Sequence, residues 1–219
     1  MEKTKLVIWF SVRADMRFLS HADTLRLWQR ALTRAGVPLS FSQGFNPHTQ
    51  MTLPLPRSVG MTSEAELMIV TLTRPCDIDE TVANLKKQLV PGIDIHAARH
   101  LDEDISAAPE WASYRIVLDE TSDRKMIEAK INDFNASSSL VVERKAHGRH
   151  KSRRIDLRPG INHLELDGST ILCTIKIEPQ ATVRISELMN ILSIDNPLMA
   201  ELTERTAVGF PAPFMFNNN

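Results

Sequence analysis

The sequence predicts an α+β protein made of two tandem ferredoxin-like (split βαβ) domains with antiparallel sheets. Apolar segments in the first half follow the order strand, helix, strand, strand, helix, strand. A similar order begins again after the segment DEDISAAPEWA, which has no periodicity. The length of 219 residues and a hydrophobic content of 42% are enough for two small cores. We therefore place the domains at residues 1–103 and 113–210.

The first domain is predicted from its hydrophobic periodicity. KLVIWFSV is rich in β-branched and aromatic residues and predicts the first strand. The helix that follows has Ser20 as its N-cap, apolar residues at helical spacing and Gly36 at its end. A second helix runs from Asp77 to the Pro91-Gly92 stop. The remaining strands are predicted at 51–55, 66–73 and 93–98.

The second domain is predicted by the same signals. Ile127, Ile131 and Phe134 share one face of its first helix. Asp167-Gly168 is typical of a hairpin turn between two strands. Strands are predicted at 114–119, 140–145, 154–157, 164–166, 169–178 and 205–210, and helices at 122–134 and 186–192. The final PAPFMFNNN segment is predicted to be loose.

Composition restricts the classes of function. A net charge of -1 means that a polyanion must be bound by a local patch. Two distant cysteines, no signal peptide and no apolar run of about 18 residues predict a cytoplasmic protein without a membrane partner. The chain has no P-loop, dinucleotide or nucleophile-elbow motif, and it has too few thiols for an iron–sulfur cluster. We expect neither a cofactor nor a bound metal.

Two groups of cations point to a phosphate-bearing ligand. Arg26, Arg30 and Arg34 recur every four residues on the first helix, and no acidic residue shares their row. Forked guanidinium donors suit phosphate oxygens, although a solvated helix face would look the same. The second group is ERKAHGRHKSRRIDLR, with seven cations against two acids. Gly148 in its middle suggests a basic β-hairpin with its tip there, or a mobile loop, and we call this segment the cationic finger. Its predicted contacts with nucleic acid are Arg149, Lys151, Arg153, Arg154 and Arg158.

The stretch SQGFNPH raises the question of what its polar groups are for. We expect this loop to lie beside His21 at the start of the first helix, with Phe45 plugging the core below. Gln43, Asn46 and His48, together with Arg17, would then present donors and acceptors to a ligand. Aromatic residues make up only 5% of the chain, which argues against a base-stacking platform of the RNA-recognition-motif type.

Several of these segments resemble the radical SAM-linked protein family, a domain of unknown function. The resemblance lies in RFLSHADTLRLWQRALTRAGVPLSFSQGFNPH, in LPLPRSVGMTSEAELMIVTL and in RKAHGRHKSRRIDLRP. It implies a radical SAM protein as partner, because members of that family are fused to, or encoded beside, radical SAM proteins. It also implies RNA as the substrate, because those genes often lie near ribosome and ribonuclease genes.

Three functions follow as alternatives. The first, which we favour, is a non-enzymatic RNA-binding accessory protein that presents substrate to a radical SAM enzyme for RNA modification or processing. The second is a metal-independent endoribonuclease of the CRISPR repeat-processing type, in which His21 is the general base. The third is a protein-interaction module, in which Gly44 supplies a positive φ and Gln43 and Asn46 bond the backbone of the loop.

Overall fold

The computed structural model describes residues 4–101, 107–144, 152–178, 181–194, 200–212 and 214. They form two compact units. Residues up to Pro109 and from Phe210 onward belong to the first, and Glu110–Gly209 form the second. The described residues after Gly209 therefore belong to the first unit, whereas the sequence predicts a second domain that runs to residue 210.

The described residues of the first unit form β1 (Thr4–Val12), α1 (His21–Arg34), β2 (Met51–Thr52), β3 (Thr62–Leu72), α2 (Ile78–Gln88) and β4 (Ile93–Leu101). The strands pair in an antiparallel sheet in the order β4-β1-β3-β2. Alternate residues of the first strand, Leu6, Ile8 and Phe10, are buried in its core, together with Trp28 of the first helix. Phe10 and Trp28 meet edge to face with their ring centroids 4.8 Å apart.

The described residues of the second unit form β5 (Trp111–Val117), α3 (Arg124–Ala136), β6 (Val141–Arg144), β7 (Arg153–Asp156), β8 (Ile161–Asp167), β9 (Thr170–Lys176), α4 (Ile185–Ile191) and β10 (Thr203–Gly209). Four of the strands pair in an antiparallel sheet in the order β10-β5-β9-β8, and β6 and β7 pair separately as a hairpin. Gly168 takes a φ of 58° in the β8–β9 turn, which confirms the predicted Asp-Gly hairpin.

The mixed α and β class with antiparallel pairing is therefore confirmed, whereas the tandem ferredoxin-like assignment stays a prediction. The prediction of a loose tail was wrong at Phe214. Phe214 is 0% exposed, and its backbone carbonyl oxygen accepts a hydrogen bond from Nε1 of Trp9 at 3.3 Å. An aromatic ring that is removed from water in this way stabilises the fold, so a short terminal segment can be held down.

Candidate functional site

The three arginines of α1 form an exposed row, which we call the arginine row (Arg26, Arg30, Arg34). The helix begins where the sequence predicts, because Ser20 Oγ accepts a hydrogen bond from the backbone N–H of Asp23 at 3.1 Å. Its buried side anchors the helix on the sheet, so the row faces outward. A rise of 1.5 Å per residue spaces successive guanidiniums about 6 Å apart along the axis.

Arg26 has an acidic partner that the spacing of four did not reveal. Its Nη1 donates to Asp23 Oδ1 at 2.8 Å, from three residues further along the helix. The side-chain hydrogen bond from Ser20 and the bond from Arg26 hold the pKa of Asp23 below its usual value. The expectation of an acid-free row was therefore wrong at this position, because i,i+3 neighbours also meet on a helix.

Arg30 and Arg34 have no ion pair or hydrogen bond to any described residue. They border two cavities, of about 340 Å³ and 460 Å³. Gln29 and Thr33 complete the first cavity, and Gln88 of α2 helps to line the second. Exposed guanidiniums at the rim of a shallow depression can donate paired hydrogen bonds to a phosphate group that enters it.

The SQGFNPH loop, which we define as Ser42–His48, is closed by hydrogen bonds between its ends. The N–H of Ser42 donates to the carbonyl of His48 at 2.8 Å, and the N–H of His48 donates to Ser42 Oγ at 3.0 Å. Gly44 has a φ of 130°, which L residues rarely adopt, so the expected positive φ is confirmed. The loop backbone is thus fixed by its own contacts.

The side chains of this loop point into solvent. Phe45 is 111% exposed, so the prediction that it plugs the core was wrong. Gln43, Asn46 and His48 are exposed, and their side chains make no hydrogen bond with the described residues. The backbone-bonding role that a purely structural loop would give Gln43 and Asn46 is therefore not observed. These groups remain open to an outside partner.

The loop and the start of α1 lie at opposite ends of the first unit. At the base of the loop, the N–H of Ser40 donates to the carbonyl of Thr71, close to the β1–β3 pair Thr4 and Leu72. α1 starts from the other end of β1 and runs back for 14 residues, or about 20 Å, toward the loop. The expectation that the loop flanks His21 was wrong, because Arg34 and not His21 is at the helix end nearer the loop.

His21 is exposed at the first position of α1. No described residue forms a hydrogen bond with its ring, so no neighbour there fixes a tautomer or an orientation for proton transfer. Its role as a general base stays a prediction. Arg17 is half-buried just before α1, and its guanidinium lies over the Phe18 ring at 4.8 Å from the centroid. Its contact with nucleic acid also stays a prediction.

The basic segment of the second unit forms the predicted hairpin at its stem. β6 pairs with β7, and Arg154 lies opposite Glu143. Arg153 and Arg154 are exposed on β7. Arg149 and Lys151, which the sequence places in the same group, lie outside the described residues. The predicted cationic finger therefore retains two exposed arginines in the described part of its stem.

Two other arginines of this segment have structural contacts. Arg144 forms a bidentate pair with Glu187, at 2.6 and 2.7 Å, and also donates to the carbonyl of Thr182. Arg158 donates to the carbonyls of Ser137 and Ile161 and lies over the Phe134 ring at 5.0 Å. Charge counting included both among seven equivalent cations, but contacts across the second unit occupy their guanidiniums.

Arg57 is a structural residue that the sequence did not single out. Its Nη1 donates to the carbonyls of Arg17 and Met61, at 2.7 Å each, and so ties the segment before α1 to the segment before β3. Within the described ranges, no three His, Cys, Asp or Glu side chains are grouped closely enough to hold a metal. No described helix is long and apolar enough to cross a bilayer.

The chain is distantly similar to several solved structures. No curated protein matches it significantly. A chain from a crystal structure of a Cbf5-Nop10-Gar1 complex is 10% identical, with a TM-score of 0.42 over 93% of this chain and 47% of that chain. This protein thus spans about half of that chain's length. An unknown protein from Galdieria sulphuraria is also 10% identical, with a TM-score of 0.29 over 95% and 98% of the two chains.

A family match covers most of the sequence, from residue 5 to residue 186. The family is described as "Uncharacterized protein conserved in bacteria" (DUF2344), and the match includes α1, the SQGFNPH loop and the β6–β7 hairpin. The chain belongs to the DUF2344 family.

Proposed function

We propose that this chain is an RNA-binding accessory protein that presents RNA to a radical SAM enzyme for modification or processing. The observation that carries the RNA part is the arginine row. Two of its three guanidiniums are exposed at the rims of cavities and have no acidic partner among the described residues. In a chain of net charge -1, two adjacent unpaired cations form a local site for a polyanion.

The β6–β7 hairpin adds a second support in the other unit. Arg153 and Arg154 are exposed there, and the sequence adds Arg149 and Lys151 between the two strands. Each phosphate that a cation contacts releases counterions, so several weak contacts together give useful affinity.

The radical SAM partner and the cytoplasmic location are parts of the same proposal. The resemblance of the RFLSH and SQGFNPH segments to the radical SAM-linked family supports the partner. We also propose that both units are ferredoxin-like. If β5, β8, β9 and β10 are numbered one to four, both sheets have the strand order 4-1-3-2, and β6-β7 is an insertion in the second.

The test compares two charge-matched variants of the full chain in binding a fluorescein-labelled RNA hairpin with an unpaired loop. We expect R30Q/R34Q to weaken binding on the order of tenfold at low salt, and to lower the slope of log K against log salt by about two. The control, R124Q/K125Q, removes two exposed cations at the start of α3 and should leave both quantities unchanged.

Equal effects of the two variants would show that only net charge matters and would contradict an RNA site on α1. The absence of RNA binding by the unmodified chain would contradict the RNA part of the proposal as a whole. The partner is tested separately by affinity purification from cells in high salt. Recovery of an iron–sulfur radical SAM protein is the expected result, and its repeated absence would remove that part.

A further inference from the structure

The SQGFNPH loop exposes an aromatic ring that the fold does not use. Phe45 is 111% exposed, and Phe41 at the base of the loop is 46% exposed. The backbone between them and His48 is held by the Ser42–His48 hydrogen bonds and by the bridge between Phe41 and Thr49. A bare phenyl ring on a fixed loop gains no burial in the isolated protein, so the ring is available for contact with a partner.

The neighbours of Phe45 indicate the chemistry of that partner. Gln43 and Asn46 carry amides, which offer both donors and acceptors, and His48 adds an imidazole. These side chains are exposed and have no hydrogen bond to the described residues. Residues 42–48 contain no Asp, Glu, Lys or Arg. An aromatic face beside uncharged hydrogen-bonding groups matches an unpaired nucleobase, which has a flat face and a polar edge.

The arginine row leads toward this loop. α1 runs from the Val12 end of β1 to the Thr4 end, and the base of the loop hydrogen-bonds to β3 at that same end. Arg34 is thus the member of the row nearest the loop in the direction of the helix. A strand whose phosphates follow the row in this direction runs toward the end of the first unit that carries the base of the loop.

We propose that Phe45 stacks on an unpaired base of single-stranded RNA, and that Gln43, Asn46 and His48 hydrogen-bond to the edge of that base. This inference rests on the proposed RNA-binding function and narrows its substrate to RNA with an unpaired segment. Because Ser42, His48 and Gly44 hold the loop, little ordering entropy opposes binding.

The experiment measures binding of the full chain to a fluorescein-labelled, 12-nucleotide single-stranded RNA and to the same strand annealed to its complement. The variants are F45A, F45Y and the control M126A, which removes an exposed apolar side chain from α3. We expect F45A to weaken single-strand binding about tenfold or more without changing the salt slope, because Phe45 contacts no phosphate. F45Y should bind the single strand as tightly as the unmodified chain does. Binding of the duplex should be the same for all variants.

A 2-aminopurine placed in the single strand reports stacking directly. Its fluorescence should be quenched by the unmodified chain and by F45Y, and less so by F45A. If F45A binds the single strand as tightly as the unmodified chain while R30Q/R34Q binds weakly, the stacking proposal is overturned and the RNA function stands. Loss of a protein partner by F45A with unchanged RNA binding would also overturn it. If neither RNA is bound, both proposals fail.

Discussion

The carboxylate of Asp23 accepts a hydrogen bond from Arg26 across one turn of α1, with 2.8 Å between Oδ1 and Nη1. This contact neutralises one of the three guanidiniums in the arginine row. The row therefore has two cations available for a polyanion at neutral pH. For the third, Arg26, a polyanion has to compete with the carboxylate of Asp23.

We predict that D23N will strengthen RNA binding a few-fold and raise the salt slope by about one, because it releases Arg26. The matched control is D79N, which removes an exposed acid from the first turn of α2. The folded pKa of Asp23 lies below its ordinary value of 3.8, so its pairing is complete above that pH and is lost as the pH falls below it. The ratio of the RNA affinities of D23N and the unmodified chain, measured by fluorescence anisotropy, should therefore be constant from pH 6 to pH 8. Equal gains for D23N and D79N would contradict a specific role of Arg26.

The Arg144–Glu187 pair should stabilise the second unit. Their side chains are only 12% and 15% exposed, so R144A leaves a half-buried carboxylate without its partner. We expect R144A to lower the free energy of unfolding by about 2 to 3 kcal/mol, as measured in urea. A double-mutant cycle with E187Q should give a coupling energy of at least about 1 kcal/mol. A coupling near zero would show that the pair is screened.

The same pair predicts a pH dependence. Burial raises the pKa of Glu187, but the hydrogen bonds from Arg144 and from the Arg184 backbone outweigh it, so the pKa lies below the ordinary 4.5. A depressed carboxyl pKa adds stability above the unfolded value, and that stability is lost as the pH falls through the folded value. We expect the difference in unfolding free energy between R144A and the unmodified chain, measured in urea, to be constant above pH 6 and to decrease below about pH 4.5. A gap that widens in acid would contradict this assignment.

Phe214 should be essential to the first unit although it is close to the C-terminus. F214A removes a ring that is 0% exposed and should cost about 3 to 5 kcal/mol of unfolding free energy. F45A is the matched control, because it makes the same substitution at a fully exposed ring and should be neutral. Urea unfolding followed by tryptophan fluorescence includes Trp9, which donates its hydrogen bond to Phe214. Equal stability of the two variants would show that the tail does not contribute.

The two cysteines should differ in reactivity. Burial of Cys173 in β9 raises the pKa of its thiol to about 12, and the thiolate is the nucleophile. Cys76 is half-buried in the first unit. At pH 8 we expect iodoacetamide to modify at most one thiol in the native chain and two in urea, as counted by mass spectrometry. In C76S the native count should fall to zero. Rapid modification of Cys173 in the native chain would mean that β9 opens easily.

The secondary structure of this protein is legible in the sequence because it depends on local chemistry. Ser20 caps α1 through an interaction with Asp23, three residues away, and Asp167-Gly168 forms a turn between adjacent strands. The strand at KLVIWFSV is likewise predicted from β-branched and aromatic residues next to one another in the sequence. Each of these signals lies within a few residues, so no knowledge of distant contacts is needed to interpret it.

The availability of each charged or aromatic group was decided by tertiary structure. Arg144 and Arg158 looked like members of a cationic finger, but Glu187 and backbone carbonyls far along the chain occupy them. Phe45 and Phe214 both lie outside helices and strands, and one is fully exposed while the other is fully buried.

By itself, then, the sequence determined where helices and strands form, which cations exist and which family the chain resembles. Only the folded chain decided which guanidiniums remain open to a ligand and which rings face water. The physical reason is that pairing and burial depend on atoms brought together from distant positions, whereas helix caps, turns and periodicity depend on near neighbours.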